Sequence, residues 1–295
     1  NDLTIYGDYT NLDLSNIECN EIIYSDGVDD ENENENENDK ISISNHKLPK
    51  NLKILKIENK NIIDLPEFPN LLENLSILNI KIKHLNKLPE FLKILDVMGT
   101  ELTNLPELPD SLEILNCNYS QLTILPKLPN LLKQLHCSEN QLISLPDLPN
   151  SLKELHCSDN ELTLLPNLPN SLIELDCSVN RLTLLPELPN SLESILCYHN
   201  RLTKFPKVPS TIKDINCSGN MIKSFYYNSL KNTLLEDLNC FGNQLTKPPK
   251  YDIIKYAASI NIYFVLIVAA VRLLLSSFGC PKPMKIPIRH KSLFS

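Results

Sequence analysis

His136, His156 and Asp176 recur at twenty-residue intervals, and Glu154 and Glu174 stand two residues before the last two of them. Imidazoles and carboxylates brought together in this way could bind a metal or share protons. The cysteines keep the same spacing: Cys117, Cys137, Cys157, Cys177, Cys197 and Cys217 are twenty apart, and Cys240 follows. In isolation such a series suggests a disulfide framework or a zinc site. However, no CxxC or CxxH pair is present, and structural zinc sites are built from close pairs of that kind. Nor is there a nucleophile set beside a base and its orienting group, a metalloprotease motif or a Gly-rich phosphate loop, and the chain has only six glycines. The sequence therefore predicts no catalytic residue, no bound metal and no cofactor. The polar cluster reads as one stretch of a recognition surface.

The spacing itself carries more information than the residues it places. A twenty-residue unit repeats from Leu52 to Leu245, clearest in LKQLHCSENQLISLPDLPNS (Leu132 to Ser151) and LKELHCSDNELTLLPNLPNS (Leu152 to Ser171). Ten units begin at Leu52, Leu72, Leu92, Leu112, Leu132, Leu152, Leu172, Leu192, Ile212 and Leu235, the ninth lengthened to 23 residues. A strict period of this length means a solenoid, in which each unit buries its apolar face only against its neighbours.

The unit LxxLxCxxNxLxxLPxLPxS resembles the leucine-rich repeat, and its short period with the LPxLP signature resembles the repeats of secreted bacterial effectors. Cysteine in the strand resembles repeat proteins of giant amoebal viruses. The resemblance implies a curved parallel β-sheet on a concave face, a surface that binds partner proteins and a host-directed role. Some such effectors carry a ubiquitin-ligase domain after the repeats, but the 45 residues after Lys250 are too few for one.

Within each unit the stretch around LxCxx alternates apolar and polar residues, which predicts a short strand with Leu135, Cys137, Leu142, Leu145 and their equivalents facing inward. Burying each such side chain contributes roughly 1.5–3 kcal/mol. Cysteine takes the place that Ile57, Ile77 and Val97 hold in earlier units, so it acts as a small hydrophobe. Neighbouring strands lie about 4.8 Å apart, too far for a disulfide, which wants Cβ atoms about 3.8 Å apart. Reduced, buried thiols are expected, and with them a reducing, cytoplasmic location. The LPxLP segment cannot extend a helix, since Pro lacks an amide donor, so the convex side should be extended and polyproline-like. Asn140, Asn160, Asn180, Asn200, Asn220 and Asn243 form a column suited to bonding the turn after each strand.

Strand residues that alternate with the inward set should face a partner. They give an apolar patch from Ile54, Ile94, Ile114 and Met98, then a polar and acidic stretch through His136, His156 and Asp176, with Tyr198 beyond. These residues are the candidate contacts for a protein partner whose identity the sequence does not name. The net charge of -8 comes entirely from one segment: residues 26–39 hold eight carboxylates, and without them 28 acids face 28 bases. That balance gives no basic stripe for nucleic acid.

Four regions are expected. Residues 1–51 form an N-terminal cap, with a disordered acidic insert at 26–39 and a degenerate strand near Leu14, Ile17 and Cys19. Residues 52–250 form the repeat array, residues 251–280 a hydrophobic helix and residues 281–295 a basic tail. For Tyr256 to Cys280 two readings stay open. One is a helix that caps the last repeat; the other is a membrane segment, with Arg272 set in an otherwise apolar run. Basic residues after a span favour a cytoplasmic tail and external repeats, whereas the unpaired cysteines favour repeats inside the cell. The cysteines weigh more, which leaves a docked helix or a cytosolic membrane surface, in a protein expected to be monomeric.

Overall fold

The computed structural model describes residues 2–6, 12–25, 40–224 and 233–246. The acidic insert 26–39 and everything from residue 247 onward lie outside the described residues, and the expectations of a disordered loop, a C-terminal helix and a basic tail fall there.

Among the described residues twelve strands form a single parallel sheet in chain order. They are β1 (Asp2–Tyr6), β2 (Glu21–Ser25), β3 (Ile54–Ile57), β4 (Asn74–Ile77), β5 (Ile94–Asp96) and β6 (Ile114–Asn116), followed by β7 (Gln134–His136), β8 (Glu154–His156), β9 (Glu174–Asp176), β10 (Ser194–Leu196), β11 (Asp214–Asn216) and β12 (Asp237–Asn239). Each pairs with the next in the register that the repeat dictates, as in Leu135↔Leu155 and Leu155↔Leu175. The chain returns between strands without a helix among the described residues. The second proline of each LPxLP turns it back toward the sheet, its carbonyl accepting the amide three residues on, as Pro149 does from Leu152 at 3.1 Å.

The core is a continuous file of the predicted inward residues. Leu135, Cys137, Leu142 and Leu152 are fully buried, as are their equivalents through the middle of the array. Toward the C-terminal end the file is less covered: Leu235 and Leu238 keep 6% exposure and Cys240 8%.

The N-terminal segment departs from the expected strand. Leu14 and Cys19 are buried, but Ile17 is 40% exposed and no strand forms there. The strand lies later, at β2, because Ile22 and Tyr24 rather than Ile17 and Cys19 meet Leu55 and Ile57 of the first full unit. β1 pairs in turn with β2, so the sheet extends two strands beyond the array. Ile41 and Ile43 are buried as expected. The Asp64 carboxylate accepts the amides of Ile43 and Ser44 at 2.7 and 2.9 Å, fixing that segment against the first repeat.

Candidate functional site

The outward positions of the strands build one surface. Ile54, Ile94 and Ile114 occupy one column, aligned through Ile54↔Asn74, Asn74↔Ile94 and Ile94↔Ile114, and all three are half-buried rather than exposed. Met98 lies two residues beyond β5, its amide bonded to the Asp96 carboxylate at 3.3 Å. β7, β8 and β9 bring His136, His156 and Asp176 side by side on the same face. Tyr198 follows one strand further on, half-buried, its ring edge-on to His199 at 5.6 Å.

The histidines form the most defined feature of this face. Their rings stack at a centroid distance of 4.5 Å and an angle of 9°. Parallel stacked rings direct their lone pairs in parallel planes, so the pair cannot converge on one ion at the roughly 2.0–2.1 Å that a metal–imidazole bond needs. Among the described residues no three His, Cys, Asp or Glu side chains are placed to hold a metal. His136 Nε2 lies 3.7 Å from Glu154 Oε2, closed off from solvent and without a hydrogen-bond partner. The same Glu154 oxygen accepts from Gln134 Nε2 at 2.9 Å. Burial, followed by the neighbouring His156, holds the His136 imidazole below the usual histidine range. On the other side Asp96 is raised above the ordinary carboxylate range, chiefly by burial.

Charge is distributed unevenly over the surface. At the entry to the strands Glu73 bridges Lys53 and Lys93 at 2.7 and 2.6 Å, and Lys133 and Lys213 pair with Glu113 and Glu193 at 2.5 Å. The outward strand positions from β7 to β12 hold Glu154, Glu174, Asp176, Asp214 and Asp237 but no lysine or arginine. Asp214 is pushed up by burial and then by the nearby Glu236 and Asp237 carboxylates.

Solved structures with this architecture include YopM from Yersinia enterocolitica WA-314, at 30% identity and a TM-score of 0.51 over 71% of this chain and 56% of that one. The leucine-rich effector protein YopM from Yersinia pestis matches at 29% identity and a TM-score of 0.56, over 66% of this chain and 64% of that one. This chain is a short-period leucine-rich repeat protein. It spans 56% and 64% of the length of those two chains. The functional domain of InlJ from Listeria monocytogenes, described as including a cysteine ladder, shares the fold at 24% identity and a TM-score of 0.53, over 70% of this chain and 52% of that one. No family model and no curated protein matches the chain.

Two ladders hold the leucine-rich repeat sheet in place. Cys117 to Cys217 are fully buried, Cys240 nearly so, and all seven are free thiols. Burial pushes these thiols up, Cys137 to about 12 and Cys240 to about 11. Beside them runs the asparagine column. Asn160 Nδ2 donates to the carbonyls of Cys137, Cys157 and Ser158 at 3.0, 3.3 and 3.1 Å, while its Oδ1 accepts the Leu142 amide at 2.9 Å. Each asparagine thus joins its own unit to the one before. In an earlier unit Thr100 substitutes in part, donating to the Val97 carbonyl at 3.0 Å.

Sequence reasoning missed two other sets. The residue before each turn position adopts a left-handed backbone in every unit from Asn79 onward, including Tyr119, Glu139, Asp159, Val179 and His199 at φ between 50° and 54°. Several well-exposed apolar side chains lie off the concave face: Ile124, Ile143, Leu164 and Leu184, 56–60% exposed, on four consecutive units just after the turn, and Leu71, Phe91 and Leu131 at the unit boundary. At that boundary other units carry a hydroxyl that donates to the preceding unit, as Ser151 Oγ does to the Leu132 carbonyl at 2.6 Å. Leucine beside a buried leucine, as in Leu164–Leu165, gives no sign in sequence of which one faces out. A gap in the hydroxyl column was the available signal at Leu71, Phe91 and Leu131.

Proposed function

We propose that the protein is a non-enzymatic scaffold that binds a partner protein across its concave face, in the manner expected of a host-directed effector. The observation that carries this reading is the isoleucine column of Ile54, Ile94 and Ile114. These side chains stand on the outer face of the sheet, the core is complete without them, and beside them on the same strands run the polar Lys56, Ser76, Asp96 and Asn116. Half-buried apolar anchors beside polar residues are the composition of protein-binding surfaces. The effector character of YopM supports the host-directed part. The seven free thiols of the repeat column support a reducing, cytoplasmic setting; the protein is taken to act as a monomer.

The test is proximity labelling with the full chain and with the I94S/M98S/I114S variant. The variant should lose the labelled partner set and keep its cooperative unfolding. An unchanged labelled set refutes the function, and a collapsed fold refutes the assignment of the strand faces.

A further inference from the structure

The acidic half of the concave face carries a device that the scaffold reading alone does not explain. The outward strand positions from β7 to β12 present carboxylates and no cation; of the flanking lysines Lys133 and Lys213 are already paired with Glu113 and Glu193, and Lys153, exposed just before Glu154, leaves the carboxylates in excess. Such a surface complements an extended segment rich in Lys or Arg. Set into its edge are the two stacked imidazoles, each beside a carboxylate of the next strand: His136 with Glu154 at 3.7 Å and His156 with Glu174 at 4.0 Å. The remaining charged groups that face the pair are Asp96 from β5 and Asp176 from β9, while β6 contributes only the neutral Asn116.

We infer that the His136–His156 stack makes this acidic half a proton-gated docking site for a cationic segment of a partner protein, occupied while the rings are neutral and vacated as they take up protons. The inference rests on the concave-face reading and names the chemistry of its partner. In the structure His136 Nε2 has no hydrogen bond, and its neighbour Glu154 accepts instead from Gln134. A proton on Nε2 places an N–H and a positive charge toward Glu154, drawing the carboxylate from the surface into an internal ion pair. A second proton on His156 does the same to Glu174. The rings lie 4.5 Å apart, so a positive charge on either one acts on the same stretch of surface. Both steps remove negative charge from the surface the cationic segment needs.

The probe is a fluorescein-labelled decapeptide of alternating Lys and Ser, its binding to the full chain read by anisotropy in low salt at pH 7.5 and 5.5. Affinity should fall about threefold to tenfold on acidification, the scale expected for one or two partly exposed charges. H136Q/H156Q should lose most of that fall, read as the ratio of its own affinities at the two pH values; E154Q/E174Q should bind weakly at both values. Circular dichroism establishes that each variant is folded. A full fall retained in H136Q/H156Q overturns the gate. A full chain that ignores the probe, or binding indifferent to E154Q/E174Q, overturns the cationic site. Because the probe does not engage the isoleucine column, those results leave the scaffold reading to be decided by the I94S/M98S/I114S variant.

Discussion

Replacing the asparagines of the ladder by alanine should cost most at the end of the column and less in its middle. In Asn160→Ala the three carbonyls that lose a donor each keep another: Cys137 O still receives Asn140 Nδ2 at 3.2 Å, Cys157 O receives Asn180 Nδ2 at 3.0 Å and Ser158 O receives the Glu139 amide at 2.9 Å. Only the Leu142 amide is orphaned. A buried donor left without a partner costs about 1–3 kcal/mol, so about 2 kcal/mol is expected. Asn140 opens the column, with no asparagine in the preceding unit. Its loss orphans both the Leu122 amide and the Cys117 carbonyl, whose bonds to Asn140 are 3.0 and 2.8 Å, and the expected cost rises to about 4 kcal/mol. In the double variant Cys137 O loses both donors, so the two costs should combine to exceed their sum by about 1–2 kcal/mol. The chain has no tryptophan, so urea unfolding is best followed by circular dichroism, with midpoints and slopes compared at one temperature. Equal costs for Asn140→Ala and Asn160→Ala, or strict additivity of the pair, would refute this account of shared acceptors.

Val179→Gly should stabilise the protein by about 1 kcal/mol, because a β-branched residue held at φ 50° loses a left-handed penalty of roughly 1–2 kcal/mol that the added freedom of the unfolded chain only partly offsets; a lower melting temperature contradicts this. Because the His136 imidazole is held below its unfolded value of 6.5, the unfolded chain binds more protons. Its contribution is therefore complete above about pH 6.5 and lost as pH falls toward the folded value, so H136Q should flatten the melting-temperature profile over that window. Native thiols should label slowly at pH 8 and completely in urea, and column cysteines found paired in non-reducing mass spectrometry would sink the reducing-compartment proposal. Cutting the chain after Lys250 should lower stability and expose Leu238 and Leu245 if residues 256–280 cap the last unit. If they enter a membrane instead, the full chain should resist alkaline extraction and the cut chain should not.

The period and the two faces of each strand were readable because a twenty-residue repeat shows each structural position many times. Cysteine exchanging with Ile57, Ile77 and Val97 marks an inward position more firmly than its own chemistry could. Legibility ended where the repeat did: before Leu52 each register position has too few copies to compare, so a strand is expected near Leu14, Ile17 and Cys19 where none forms and β2 at Glu21–Ser25 is missed. The left-handed turn also stayed hidden, since five of its positions carry Tyr, Glu, Asp, Val and His rather than the glycine that advertises such a backbone. On the candidate site, spacing was enough to set His136, His156 and Asp176 on adjacent strands, but a parallel stack of imidazoles with one nitrogen sealed beneath depends on side-chain rotamers that spacing does not encode.

The asparagine bonds run between units rather than within them, and every joint from Asn160 to Asn220 is made from the same groups at nearly the same distances. A whole unit can therefore be excised or duplicated at the gene level without creating a joint the array does not already contain. Removing residues 152–171 would set His136 against Asp176 and end the ring stack, whereas copying them would lengthen the histidine file by one ring. The distance between the isoleucine anchor and the acidic stretch is thus a quantity that recombination can change in steps of one strand spacing, about 4.8 Å, while the joints that secure the fold stay the same.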